Sequence, residues 1–235
     1  MIIKSPSSSG KSSICYSLIS QFQKAYPEKI VGYFDAEVAV SVPYMQQFGV
    51  DIDALDFQQL SVAEDVLSAV DAYAESGACS LLIIDSIPAL LTRAQLEKGI
   101  DSKTMASLAG VLTPAINRIK DTCKRTNTTL VLVNQTRAGL SMYGPAESIP
   151  GGNALVFFSS MILRISKKDT ITEGEDAVGN EIQIAFKKNK LGTPYKVVTT
   201  KLIFGKGFDF YEEYVDIALS KNIIVRGGAW YTIPL

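Results

Sequence analysis

Residues Ser5-Pro6-Ser7-Ser8-Ser9-Gly10-Lys11-Ser12 have the types and spacing of a phosphate cradle. The pattern G-x-x-x-x-G-K-[ST] surrounds a polyphosphate with backbone N–H groups and a helix N-terminus. In that frame Lys11 reaches the β- and γ-phosphates and the Ser12 hydroxyl ligates Mg²⁺. Gly10 lets the backbone approach, and Ser13 stands in the first turn of the helix that follows. One position departs, since Ser5 stands where the pattern has glycine. That position favours positive φ, so serine is expected to cost about 1 kcal/mol of strain there and to weaken the site without abolishing it.

A cradle needs partners that can hold a cation and steer a water. Asp85 ends the apolar run "SLLIIDS" and is the natural carboxylate to stand behind the direct Mg²⁺ ligands, joining Ser12 as a metal residue. Glu37 ends "IVGYFDAE", where a carboxylate can orient or deprotonate an attacking water. Asn134-Gln135 ends "TTLVLVNQT", and a terminal amide there can touch the γ-phosphate. The chain has no histidine, which excludes a Ser-His-Asp triad, a Cys-His pair and any histidine metal site.

The elements that must position these residues follow from periodicity. Short apolar runs at 1–4, 30–37, 80–86 and 128–136 read as strands buried on both faces. Between them lie amphipathic stretches at 13–22, 61–76 and 103–126, with Ser61 as an N-cap and Pro114 as a kink or first-turn residue. Such alternation predicts an α/β fold with a parallel central sheet, whose ligands lie at the carboxyl ends of the strands. Past residue 160 the pattern changes. Segments 160–168, 181–189 and 195–204 read as consecutive strands extending the sheet in antiparallel fashion, and 209–222 as a final helix.

The 235 residues fit one domain without a linker, internal repeat or low-complexity segment. Nearly half the residues are apolar and a fifth charged, an ordinary globular balance with no run long enough for a membrane span. Three scattered cysteines, Cys15, Cys79 and Cys123, suit a reducing compartment, so a cytoplasmic protein is expected. The net charge of −1 excludes a molecule that is basic as a whole. Lys187 to Lys206 is nevertheless a basic stretch without an acid, read on its own as a solvated face.

Further segments carry a resemblance. "FDAEVAVSVPYMQQFGVDID" (34–53), "LVNQTR" (132–137), "PGGNALVFFSSMILRI" (150–165), "AVGNEIQIAFKKNKLGTPY" (177–195), "GFDFYEEYVDIALSKNII" (207–224) and "GGAWY" (227–231) join the cradle and the Asp85 strand. Together they resemble the bacterial RecA recombinases and their phage relatives over essentially the whole chain. The resemblance implies a RecA-like P-loop ATPase core with a mostly parallel central sheet, flanked by helices and ending in antiparallel strands. It implies ATP and Mg²⁺ as cofactors, held by residues 5–13 with Asp85. Glu37 would activate water, Tyr44 stack on adenine, and Gln135 sense the γ-phosphate.

The same resemblance implies single-stranded DNA as partner, and duplex DNA during strand exchange. The DNA loop would be Thr136 to Pro150, closed by Gly151-Gly152-Asn153. Arg137, Gly151, Gly152 and Asn153 would meet phosphates, and Tyr143 would stack between bases. A second loop, about 97–104, would bring Lys103 to the same axis. Lys188 and Lys190 resemble lysines presented in trans to a neighbour's ATP, which implies self-association into a filament through a shared site. No membrane partner is expected.

The chain starts at the cradle strand and stops soon after "GGAWY". The expectation is therefore a core over 1–235 without the N-terminal element that docks onto the next subunit or the C-terminal domain that helps capture duplex DNA. Both loops are also less basic than tight DNA binding would favour. The leading reading is a DNA-stimulated ATPase and strand-exchange core acting in homologous recombination and DNA repair. A RecA-fold ring ATPase or helicase, and a non-hydrolysing regulatory paralogue, are the alternatives.

Overall fold

Along the central strands the side chains alternate between two cores, and that alternation sets the layers. Ile2, Phe34, Leu82, Ile84 and Leu132 enter one core, whereas Ile3, Tyr33, Leu81, Ile83, Val131 and Val133 enter the other. A period of two sends successive side chains to opposite faces. Both faces are apolar, so helices must cover both.

A computed structural model describes residues 1–6, 9–98, 105–138, 147–148 and 150–234. The chain runs β1 (Ile2–Ser5), α1 (Lys11–Ala25), β2 (Ile30–Asp35), α2 (Val42–Gln47), β3 (Leu55–Gln59), α3 (Ala63–Ser76) and β4 (Cys79–Asp85). It continues with α4 (Arg93–Lys98), α5 (Met105–Thr126), β5 (Thr129–Gln135), β6 (Arg137–Ala138), β7 (Glu147–Ser148) and α6 (Asn153–Phe158). The last part holds β8 (Met161–Glu173), β9 (Asp176–Asn189), β10 (Val197–Ile203), β11 (Gly207–Phe208), α7 (Phe210–Ser220), β12 (Val225–Gly227) and β13 (Trp230–Thr232).

Nine strands form one sheet in the order β11-β10-β9-β8-β1-β5-β4-β2-β3. From β3 to β8 every neighbour pairs in parallel, and from β8 to β11 every neighbour pairs antiparallel. The α/β fold with a mostly parallel sheet and antiparallel C-terminal strands is therefore the one the sequence predicts. Residues of α1 and α2 pack in the Tyr33 core, and residues of α3, α5 and α6 in the Phe34 core. No helix among the described residues is long and apolar enough to cross a membrane.

Local expectations fare unevenly. Ser5 is not strained, because it closes β1 opposite Gln135 with its carbonyl accepting the Thr136 N–H at 2.9 Å, and its φ is not positive. Ser61 does not cap α3. Val62 is extended and bridges Leu91, whose N–H donates to the Ser61 carbonyl at 2.8 Å, so the cap position falls to Val62. Glu64 and Asp65 in the first turn complement the helix dipole instead. Pro114 lies inside α5 and not in its first turn. There the Thr113 hydroxyl donates to the Ala109 carbonyl at 2.8 Å, one residue from the N–H that proline lacks. α7 is held to β10 by Lys201–Glu212 at 2.6 Å and by a short Thr200–Glu213 hydrogen bond.

Gly179 sets how closely β9 and β10 approach. A Cβ there would lie 2.6 Å from the Leu202 carbonyl oxygen, which is backbone and cannot turn away. Gly179→Ala is expected to lower stability by about 1–3 kcal/mol, read as a reduced urea midpoint with an unchanged slope.

A candidate nucleotide site at the carboxyl edge of the sheet

The turn from β1 into α1 is built around one carbonyl. The Pro6 oxygen accepts from Ser5 Oγ at 2.7 Å, Ser9 Oγ at 3.0 Å and Lys11 Nζ at 3.1 Å. Gly10 caps α1 at φ 84°, a left-handed conformation that suits glycine, and a Cβ there would meet Leu202 at 3.1 Å. Burial lowers the Lys11 pKa, and attraction to Asp85, Glu37 and Cys15 opposes that shift. Ser7 and Ser8 lie outside the described residues.

Ser12 and Asp85 meet directly. The Ser12 hydroxyl donates to Asp85 Oδ2 at 2.8 Å, and the buried Tyr33 hydroxyl donates to the same oxygen at 2.7 Å. Burial raises the Asp85 pKa and Glu37 adds to the shift, while the bonds from Tyr33 and Ser12 and the charge of Lys11 oppose it. A hydroxyl and a carboxylate are hard oxygen donors. Side by side they fit Mg²⁺, which takes one or two protein oxygens and completes its shell with phosphate and water.

Glu37 is delivered by a second buried carboxylate. β2 ends at Asp35, two residues short of the predicted strand, because Asp35 captures the next backbone donors. Its carboxylate accepts from Glu37 N at 3.2 Å and from Ala39 N and Val40 N at 3.1 Å, with Gln59 Nε2 at 3.3 Å. These bonds hold Val38 at φ 53°, an unfavourable conformation for a β-branched residue. Glu37 stays exposed, and its Oε1 accepts from the buried Ser86 hydroxyl at 2.5 Å.

A cleft of about 490 Å³ gathers these groups. Ser9, Gly10, Lys11, Ser12, Ser13, Glu37, Tyr44, Asp85 and Gln135 line it. Tyr44 comes from α2, with its hydroxyl 3.4 Å from Ser13 Oγ and its ring edge-on to Phe48. Gln135 and Asn134 part company by strand parity. Gln135 lines the cleft, while Asn134 is fully buried and donates to the Pro150 carbonyl at 2.9 Å.

The DNA-directed expectations are only partly within the described chain. Lys103 and Tyr143 lie outside it. Arg137 opens the two-residue strand β6, paired with β7. Gly151 is buried at φ 91°, where a Cβ would lie 2.8 Å from both Leu112 and Leu155, and Gly152 caps α6. Both have packing or backbone reasons to be glycine. Asn153 is exposed at the start of α6.

Lys188 and Lys190 do not join this cleft. β9 lines it with Asn180 and Ile182 and then runs to the opposite end of the sheet. Six residues of strand, about 20 Å, separate Ile182 from Lys188. Lys188 Nζ donates to the Val156 and Phe157 carbonyls at 2.7 and 3.1 Å, and burial followed by the charge of Lys190 lowers its pKa.

Sequence reasoning missed Tyr33, Asp35, Ser86, Lys167 and Asn180, all at or beneath the cleft. The alternation of β2 puts Tyr33 and Asp35 on the Asp85 face, so parity was a usable signal. Ser86 adjoins Asp85 across a cis peptide bond. Lys167 and Asn180 enter only through the pairing of β8 with β1, which no local pattern announces. Asn180 Oδ1 is buried with no hydrogen-bond partner in the described structure.

Asp35→Asn would turn an amide N–H₂ toward existing donors. The expected result is a loss of about 2 kcal/mol in urea unfolding and faster hydrogen exchange at Ala39 and Val40.

The family model for the RecA N-terminal domain matches residues 1–209, which spans every element from β1 through β11 and the whole of this cleft. The chain belongs to the RecA family.

Proposed function

We propose that the protein is the ATP-hydrolysing, single-stranded-DNA-binding core of a homologous recombinase. One observation carries the reading. A phosphate cradle, a Ser12–Asp85 pair, an exposed Glu37 and Gln135 converge on one cleft, and the strand ending in Gln135 leads into the segment 136–150.

Backbone N–H groups at the start of α1 and Lys11 hold the polyphosphate. Tyr44 stacks on the base. Ser12 and Asp85 hold Mg²⁺, which would supply charge neutralisation on the phosphate oxygens. Glu37 orients the attacking water and accepts its proton. Ser86 holds Glu37 in place by the bond to Oε1. Gln135 touches the terminal phosphate and passes its presence to residues 136–150. There Arg137 and Tyr143, with Lys103 and the Gly151-Gly152-Asn153 turn, meet single-stranded DNA. Duplex DNA is the second partner, during strand exchange.

The position of Lys188, about 20 Å along β9 from the cleft, with Lys190 just past the end of the strand, supports a role toward a neighbour's phosphates. ATP would then sit between subunits and favour a filament.

Phosphate release from ATP, with and without single-stranded DNA, tests the reading. DNA-stimulated turnover is expected, with a loss of at least a hundredfold in Lys11→Ala. ATP binding without turnover would point instead to a regulatory paralogue. The shared site has its own test. Lys11→Ala and Lys190→Ala proteins, each inactive alone, are expected to recover up to about a quarter of wild-type turnover when mixed equally, because a random array gives that share of intact interfaces. No recovery would argue for a site made by one chain.

A further inference from the structure

We propose that Tyr33 is a positioning residue for the cation site, fixing the Asp85 carboxylate so that Ser12 presents its lone pairs to Mg²⁺. The inference rests on the nucleotide reading above and adds a residue to it.

The geometry is specific. Tyr33 is wholly buried in β2, and its hydroxyl donates to Asp85 Oδ2 at 2.7 Å. Ser12 Oγ donates to the same oxygen at 2.8 Å. A serine hydroxyl has one proton and two lone pairs. With its proton committed to Asp85, both lone pairs of Ser12 are free to face a cation. That holds only while Asp85 keeps Oδ2 toward α1. Rotation of the carboxylate would break two bonds at once, and Tyr33 supplies the second.

The phenol is itself clamped. Its ring stacks on Phe57 with centroids 6.1 Å apart and lies tilted against Tyr16 at 6.0 Å. Phenylalanine would fill the same space with the same ring contacts. The hydroxyl at this depth requires a partner. It donates to Asp85, and the Tyr16 hydroxyl bonds to it in turn. A packing role explains the ring, and the aim of the hydroxyl at the Mg²⁺ carboxylate is what it leaves over.

Binding of a fluorescent ADP, titrated with Mg²⁺ and repeated in EDTA, separates the two roles. In Tyr33→Phe the Mg²⁺ concentration for half-maximal enhancement of binding is expected to rise about five- to tenfold, the loss of one hydrogen bond to a charged acceptor. Affinity in EDTA should stay within twofold of wild type, and Tyr73→Phe, which removes a hydroxyl bonded to Asp56 away from the cleft, should leave the Mg²⁺ midpoint unchanged. An unchanged midpoint in Tyr33→Phe overturns the proposal. So does an equal loss with and without Mg²⁺, which is the signature of packing. If Tyr33→Phe does not fold, Phe57→Leu decides, since it loosens the ring and keeps the hydroxyl. A midpoint moved upward supports the proposal and an unmoved one overturns it. Failure of the wild-type protein to bind ADP at all removes the nucleotide reading first, and the proposal with it.

Discussion

A carboxylate withdrawn from water is tolerable only where other donors replace the water. Asp85 meets that condition through Ser12, Tyr33 and the nearby Lys11 charge, and much of the site follows from it. The Ser12 bond ties the first turn of α1 to the end of β4. The Tyr33 bond ties β4 to its neighbour β2. The cradle is therefore braced against two strands of the sheet in addition to the bonds its own turn makes to the Pro6 carbonyl. Burial still raises the Asp85 pKa, so the donors offset the cost of desolvation only in part.

A second buried carboxylate repeats the arrangement with backbone donors. Asp35 gathers the N–H groups of Glu37, Ala39 and Val40, so the chain leaves β2 by a tight turn and not as a longer strand. The turn sets Glu37 beside the cleft, where the Ser86 hydroxyl fixes one oxygen. Three strand ends, those of β2, β4 and β5, thus contribute one polar group each to a single edge. Parallel pairing makes this possible, because it stacks carboxyl ends at the same level.

The sheet was legible because its strands are apolar on both faces, and the cradle because its spacing is tight. Parity also distinguishes Gln135 from Asn134, since adjacent residues of one strand cannot share a face. Other features were not local. Whether Ser5 needs positive φ depends on its pairing with Gln135 across the sheet, and that pairing keeps it extended. The start of α3 depends on Leu91, far along the sequence, whose backbone N–H binds the Ser61 carbonyl and whose carbonyl accepts from Ala63. Lys167 and Asn180 reach the cleft because β8 lies against β1. Parity puts Tyr33 on the Asp85 face, but the bond from its hydroxyl to Asp85 needs the pairing of β2 with β4.

The C-terminal strands bear on the proposed contact between two chains. β9 begins near the nucleotide edge and ends at the opposite one, so it carries Lys188 and Lys190 away from their own cleft. A strand is stiff along its length, and no rotamer of lysine spans about 20 Å. On the proposed reading these cations serve a phosphate only across an interface. Lys188 is also bonded to the last carbonyls of α6, the helix that follows segment 136–150 and the Gly151-Gly152 turn. Asn134 holds the other end of that turn through Pro150, next to Gln135. A continuous set of contacts therefore runs from Gln135 in one chain's cleft, past the segment proposed to meet DNA, to the lysines proposed to face the next. Displacing α6 would move Lys188 with it, so on the proposed reading a coupling of nucleotide to DNA would have a physical carrier that reaches a second subunit.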